Sequence, residues 1–264
     1  MELEISSPTQ FELDTMCQQS VTLFLKSPSS FTRNRTLPNH SSAQTTQVRI
    51  AGMLRESKIA GARAGTKYRY SQLSNLLSSV EVQSILDRAF SFQSLSRDAK
   101  IVLPVITEVN GSMDISTDRQ SAKTTKQSWR IIAPARITTT LLTWRQYLNI
   151  DLYMTRSTPK LNGYFAPQNR KETRLFKAAF CSGFAVGHAQ ANDMLSLQLN
   201  RLKRDFIGMW RFRQLEMQGI VTYPQVVETR LGTLVNDDVV FIDKRDVRID
   251  VPTRFTESLN WRNR

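Results

Sequence analysis

Apolar positions along the chain fall into blocks with different spacing. Within residues 50–97, Leu73, Leu76, Leu77 and Val80 recur at helical intervals, and Val82, Ile85, Leu86, Ala89 and Phe90 repeat the pattern. Steps of three and four put side chains on one helix face, so this block predicts one long helix or two in succession. Gly61 and Gly65 lie four apart and share a face. Two readings stay open for them, a close helix–helix crossing or small residues tolerated on a soluble helix. Pro104 ends the block, because proline removes a backbone donor and clashes with the preceding turn.

Residues 105–116 and 128–140 are rich in β-branched side chains and predict two strands. The polar stretch 117–127 between them, with Arg119, Lys123 and Lys126, predicts a solvated hairpin loop. A short helix is expected over 143–150, bringing Trp144, Tyr147 and Leu148 to one side, and a Pro- and Gly-punctuated loop over 155–167. Residues 168–218 carry the strongest pattern, a stripe of Leu195, Leu199, Leu202, Phe206 and Met209. A break is expected near Gly183 or Gly187, since glycine weakens a helix interior. Gln218-Gly219 predicts the end of the helix, where glycine readily takes the left-handed conformation. Short strands follow at 225–231, 239–242 and 247–251, with Asn236-Asp237-Asp238 and Asp243-Lys244-Arg245 as turns.

Residues 1–50 read as a flexible arm, since Ser, Thr, Gln, Asn and Pro dominate 27–47 and offer little apolar surface against chain entropy. The expected fold class is α+β, with residues 51–252 as a single core domain and 253–264 as a polar tail. Long amphipathic helices would pack through the Leu73–Val80 and Leu195–Met209 stripes, with a small antiparallel β region at one side.

Composition refines this picture. With 264 residues, 40% hydrophobic and 22% charged, the chain is globular. Lys and Arg exceed Asp and Glu by 36 to 23, a formal charge of +13, which favours nucleic acid, anionic lipid or an acidic partner surface. The basic residues are spread along the chain, which weakens the nucleic-acid reading. Cys17 and Cys181 are too few for a disulfide framework and far apart in sequence, so a mutual bond is not the expectation. The run from Val21 to Leu25 is too short to span a membrane, and residues 1–16 do not read as a secretory leader. On its own terms the sequence reads as cytoplasmic. Cys17 is a poor candidate for lipidation, because Asp14-Thr15-Met16 lacks the small apolar residues expected before it.

Candidate chemistry is sparse. His188 and Asp193 are five apart and do not share a helix face, so a structural role is expected for the histidine. Cys181 and His188 could share a face but have no third ligand in view, and neither a nucleophile elbow nor a phosphate-binding glycine loop occurs. No enzyme activity, catalytic residue, cofactor or metal is expected. The physical rival is nucleic-acid binding by Arg201, Lys203, Arg204, Arg211 and Arg213, interleaved with Phe206, Trp210 and Phe212. A solvated face with an Arg201–Asp205 ion pair accounts for the same residues.

The run Leu199-Asn200-Arg201-Leu202-Lys203-Arg204-Asp205-Phe206, followed by Gly208-Met209, resembles the DotC family of type IVB secretion systems, whose conjugative counterparts include TraI proteins. Gly61-Ala62-Arg63-Ala64-Gly65, Trp144-Arg145-Gln146-Tyr147-Leu148, Gln218-Gly219-Ile220-Val221 and Glu228-Thr229-Arg230-Leu231-Gly232 extend it in order over about 53–251. The resemblance implies a periplasmic, outer-membrane-associated lipoprotein in the ring-shaped core complex of a secretion or conjugation system. Implied partners are a DotD-like lipoprotein, a DotH-like outer-membrane subunit and copies of the chain itself, and nucleic acid is not the expected partner. The candidate partner-contact residues are Arg201, Lys203, Arg204, Asp205, Glu228, Thr229, Leu231 and Gly232. Relatives normally carry a lipoprotein leader and lipidated cysteine that this sequence lacks, and residues 1–50 match nothing in the resemblance. Strand addition between neighbours at exposed sheet edges is the expected mode of assembly.

Overall fold

The computed structural model describes residues 8–27, 30–31, 43–95, 100–115, 122–149, 161–236, 238–257 and 261. The fold is α+β: long helices with small antiparallel sheets. Its helices are α1 (Gln10–Lys26), α2 (Ala43–Ser78), α3 (Val80–Ala89), α4 (Trp144–Tyr147) and α5 (Arg170–Met217). Its strands are β1 (Ile101–Val102), β2 (Val105–Ile115), β3 (Ala122–Ala133), β4 (Arg136–Ile137), β5 (Gln225–Asn236) and β6 (Val239–Val251). They pair antiparallel as β1–β4, β2–β3 and β5–β6. The chain divides into two compact units: residues 1–83 with 149–197, and residues 84–148 with 198–264.

In the first unit, α2 and the first part of α5 run parallel and almost touch. A Cβ on Gly61 would lie 2.8 Å from the Phe180 carbonyl carbon, and one on Gly65 would lie 2.9 Å from that of Phe184. The relation is mutual: a Cβ on Gly183 would lie 2.8 Å from the Lys58 carbonyl carbon, and one on Gly187 would lie 2.6 Å from that of Ala62. Of the two readings of Gly61 and Gly65, the close crossing is therefore the one realised. The helix does not break at Gly183 or Gly187, because those glycines face α2 and the backbone contact compensates for their weak helix propensity. Only at so short a separation can Ser57 Oγ donate to the Phe176 carbonyl at 2.7 Å, and Thr66 Oγ1 to that of Gly187 at 3.0 Å.

The sequence reading of residues 1–50 fails at α1. Thr9 accepts from the Glu12 N–H while the Glu12 carboxylate accepts from the Thr9 N–H, a capping box that starts a regular helix. Val21 and Cys17 are buried, and Phe24 stacks on Phe176 with ring centroids 6.4 Å apart and meets Phe180 at a tilt, 5.5 Å away. Contrary to expectation, Cys17 and Cys181 form a disulfide across a separation of 164 residues. The Cys17 sulfur is thus buried and bonded to Cys181.

In the second unit, α5 continues with Leu202, Met209, Phe212 and Leu215 buried. Gly208 brings the helix against β2, since a Cβ there would lie 3.1 Å from the Ile106 nitrogen. Gly219 closes α5 with φ 75° as expected, its N–H bonding the Glu216 carbonyl and that of Ile220 the Leu215 carbonyl, both at 2.9 Å. The Leu73–Val80 stripe is only partly internal: Leu73 is buried, but Leu76 is 43% and Val80 84% exposed, because the helix breaks at Ser79 and the phase changes. The expected polar loop at 117–127 gives way to β3 from Ala122, and β3 ends at Ala133, before Pro134, with β4 following at Arg136–Ile137. Asp243-Lys244-Arg245 is not a turn. It lies inside β6, where Asp243 takes φ 53° at a bulge. The tail is also tied in at its start, with Phe255 bridging Val221 and Thr256 N–H bonding the Ile220 carbonyl at 2.9 Å, and Trp261 meets Trp129 edge-on.

Two stability outcomes follow from the first unit. Gly61→Ala or Gly183→Ala should cost about 1–3 kcal/mol in urea unfolding despite the better helix propensity of alanine. The exposed Ser182→Ala should be near neutral. Replacing both Cys17 and Cys181 by serine should cost about 2–5 kcal/mol, and a reductant should then have no further effect.

Candidate partner-contact residues

Four candidate residues sit together on α5. Asp205 points inward, 8% exposed, and accepts from the Tyr147 hydroxyl at 3.1 Å and from Arg204 Nε and Nη2 at 2.8 and 2.7 Å. The expected Arg201–Asp205 pair is replaced by this Arg204–Asp205 pair, and the Arg201 guanidinium lies 5.9 Å from the Tyr147 ring centroid. Tyr147, the last residue of α4, stacks on Phe92 at 5.9 Å, and Phe92 meets Phe206 edge-on at 5.2 Å. Burial, and then the charge and hydrogen bond of Asp205, push the Tyr147 phenol above its ordinary range, so it stays a donor. Lys203 is half-buried on the same helix.

The sequence reading missed Asp87, the partner that fixes the other end of α4. Trp144 Nε1 donates to Asp87 Oδ1 at 2.6 Å, Arg145 Nη1 donates to the same oxygen at 2.9 Å, and Arg145 lies over the Trp144 ring at 4.4 Å. A lone aspartate among polar neighbours carried no local signal, and only the 57-residue separation closed by folding reveals it.

The other four candidates lie on β5. Glu228 pairs with Lys100 Nζ at 3.0 Å and with Arg245 Nη1 at 3.1 Å, and Arg245 also reaches Asp243 at 2.7 Å. Hydrogen bonds from Lys100 and then Arg245 hold the Glu228 carboxyl below its ordinary range. Thr229 is exposed opposite Asp246, Leu231 is exposed at a register shift, and Gly232 takes φ 68°, a conformation that suits glycine. The candidates thus form two groups: Asp205 and Arg204 help hold α4, while Glu228, Thr229, Leu231 and Gly232 shape the β5–β6 ribbon.

The residues of the nucleic-acid rival are largely occupied. Arg211 Nε pairs with Glu108 at 3.1 Å while its Nη1 donates to the Ile106 carbonyl at 3.1 Å, Arg213 pairs with Glu216, and Phe212 is buried. Reversing Arg211 and Arg213 would therefore break internal ion pairs, not only an exposed charge. Among the described residues, no group of three or more His, Cys, Asp and Glu side chains could hold a metal ion. No described helix is long and apolar enough to cross a membrane.

Besides Arg49, two buried ionisable groups mark the first unit, Glu172 and His188. Glu172 receives Arg49, the Gln168 N–H at 2.9 Å and Asn169 Nδ2 at 3.2 Å. Burial opposes its ionisation, but these donors outweigh it and hold the carboxyl below its ordinary range. His188 is 2% exposed, as befits the structural role expected of it, and its Nε2 is buried without a hydrogen bond. Burial, and then the charge of Arg69, lower its pKa.

A family model described as T4SS_TraI, "Type IV secretory system, conjugal DNA-protein transfer", matches residues 48–263. No curated protein matches the chain.

The two buried groups set the sign of the acid response. Each has a folded pKa below its unfolded value, so each contribution is complete above the unfolded pKa and is lost as pH falls through the folded one. Stability should decline first below about pH 6.5 through His188 and again below about pH 4.3 through Glu172. Urea midpoints measured from pH 8 to pH 3 should show both steps, and His188→Gln should flatten the upper one alone.

Proposed function

The chain belongs to the TraI family of type IV secretory systems for conjugal DNA-protein transfer, and we propose that it serves there as a non-enzymatic, DotC-like structural subunit of an outer-membrane core complex. The observation that carries this reading is the family match, which spans residues 48–263 and contains the ordered set of motifs. The places of the motif residues agree with a structural role: Gly61 and Gly65 permit a helix crossing, and Asp205 and Glu228 sit in internal ion-pair networks. The Cys17–Cys181 bond suits an oxidising compartment such as the periplasm. Among the described residues no third strand pairs with the β2–β3 or β5–β6 ribbon, and such edges suit strand addition. The proposed partners are a DotD-like lipoprotein, a DotH-like subunit and other copies of the chain.

The test is fractionation and affinity capture of the tagged full-length gene product from cells carrying the whole transfer system. The outcome expected is recovery with the outer membrane, together with two or three other transfer proteins, and with Cys17 and Cys181 oxidised. Recovery from the cytosol with reduced cysteines and bound nucleic acid would overturn the reading.

A further inference from the structure

Two apolar patches of the second unit are exposed. On α5, Ile207, Trp210 and Met217 recur at steps of three and seven and so share one helix face. Each is exposed by half or more, while Leu202, Met209, Phe212 and Leu215 on the inner face are buried. At the hairpin end of the β5–β6 ribbon, Val240 and Ile242 lie two apart on one face of β6, and both are more than half exposed. Apolar side chains gathered on a surface in this way mark sites that meet another chain.

The patches differ in charge. Between Lys203 and Met217 the acidic residues are Asp205 and Glu216, whose side chains are nearly buried against Arg204 and Arg213. The charge that reaches the surface beside Ile207 is therefore positive. It comes from Lys203, one turn earlier on the same face, and from Arg204, whose side chain is half-exposed. The ribbon has no basic residue from Leu231 to Ile242, and Asp237-Asp238 joins its two strands, with Asp238 exposed.

We propose that the hairpin end of the β5–β6 ribbon of one copy docks on the Ile207–Trp210–Met217 face of α5 in a second copy, a head-to-tail contact. Lys203, Ile207 and Trp210 follow one another at about 6 and 4.5 Å along the helix. Asp238, Val240 and Ile242 follow at steps of about 6.6 Å along the strand. Laid along α5 in the same direction, β6 brings Asp238 to Lys203, Val240 to Ile207 and Ile242 to Trp210. A tryptophan among aliphatic side chains, with a charge pair at the rim, has the make-up of a protein interface. The symmetric alternatives are disfavoured by charge. Helix face on helix face adds positive to positive, ribbon end on ribbon end adds negative to negative, and only the unlike patches join opposite charges. Because the contact uses two different patches, each end copy keeps one of them free, and the contact repeats into a ring or a filament.

This inference deepens the reading in which the chain meets other copies of itself, and the purified full-length chain tests it without the transfer system. Cys17 and Cys181 are bonded to each other, so Ile207→Cys and Val240→Cys each introduce a single free thiol. A short thiol-specific cross-linker should join an equimolar mixture of the two variants and join neither variant alone. By sedimentation equilibrium, Trp210→Ser and Asp238→Lys should each weaken self-association at least tenfold, and Lys203→Asp added to Asp238→Lys should restore it. The inference is overturned if the unsubstituted chain is monomeric at every concentration, if either cysteine variant cross-links by itself, or if the double swap fails to restore association. A monomeric chain would leave the fractionation outcome untouched, and recovery from the cytosol would leave this contact untouched.

Discussion

The closeness of α2 and α5 in the first unit is the constraint on which its other contacts depend. Two glycines on each helix leave backbone facing backbone, where any side chain would hold the helices apart. The choice has a cost, since each glycine in a helix interior loses about 1 kcal/mol relative to alanine. What offsets it is burial and a set of bonds possible only at this distance. Ser57 and Thr66 reach carbonyls on the facing helix, and Arg49 reaches Glu172. The parallel course of the two helices also lines up Phe176, Phe180 and Phe184 with Met53 and Ala60 in one apolar cluster, to which α1 adds Cys17 and Val21. The disulfide then fixes α1 at a point the helix crossing has already defined.

The second unit is organised on different physics. Its contacts are aromatic and charge-assisted: Tyr147 between Phe92 and Asp205, Trp144 and Arg145 on Asp87, and Arg211 between Glu108 and a backbone carbonyl. These bonds satisfy polar groups that would be costly to bury unpaired, and they position short elements that have few apolar residues of their own. The ribbons are the opposite case. Val109 and Ile132 on β2–β3, and Leu231, Val239, Val240 and Ile242 on β5–β6, are exposed. Exposed apolar side chains on narrow ribbons are a pattern of surfaces that meet other chains.

Family membership and geometry bear on different parts of the molecule. The match begins at residue 48 and so leaves α1 outside it, while the disulfide ties α1 to the matched region at Cys181. Within the match, the residues that looked like a basic binding face on α5 divide by environment. Arg204, Arg211 and Arg213 have carboxylate partners in the chain, and Arg201 covers an aromatic ring. These arginines of α5 are therefore held by groups within the chain.

Much of the architecture was legible in the residues. The α+β class, the long C-terminal helix, its glycine stop at Gly219 and the general positions of β2 and β5–β6 follow from period, propensity and turn chemistry, all of which act over a few residues. What misled was also local. The polar composition of residues 1–50 hid the capped helix α1, whose apolar face is short. Glycine's low propensity suggested a break in α5 that the facing helix removes. The Leu73–Val80 stripe could not reveal the change of phase at Ser79. The pairing of Cys17 with Cys181, the Asp87 partner of α4, the exchange of Arg201 for Arg204 at Asp205 and the reciprocal seating of four glycines were decided only by tertiary structure. Each joins groups whose meeting depends on where a helix surface lies against another element, and no spacing along the chain encodes that.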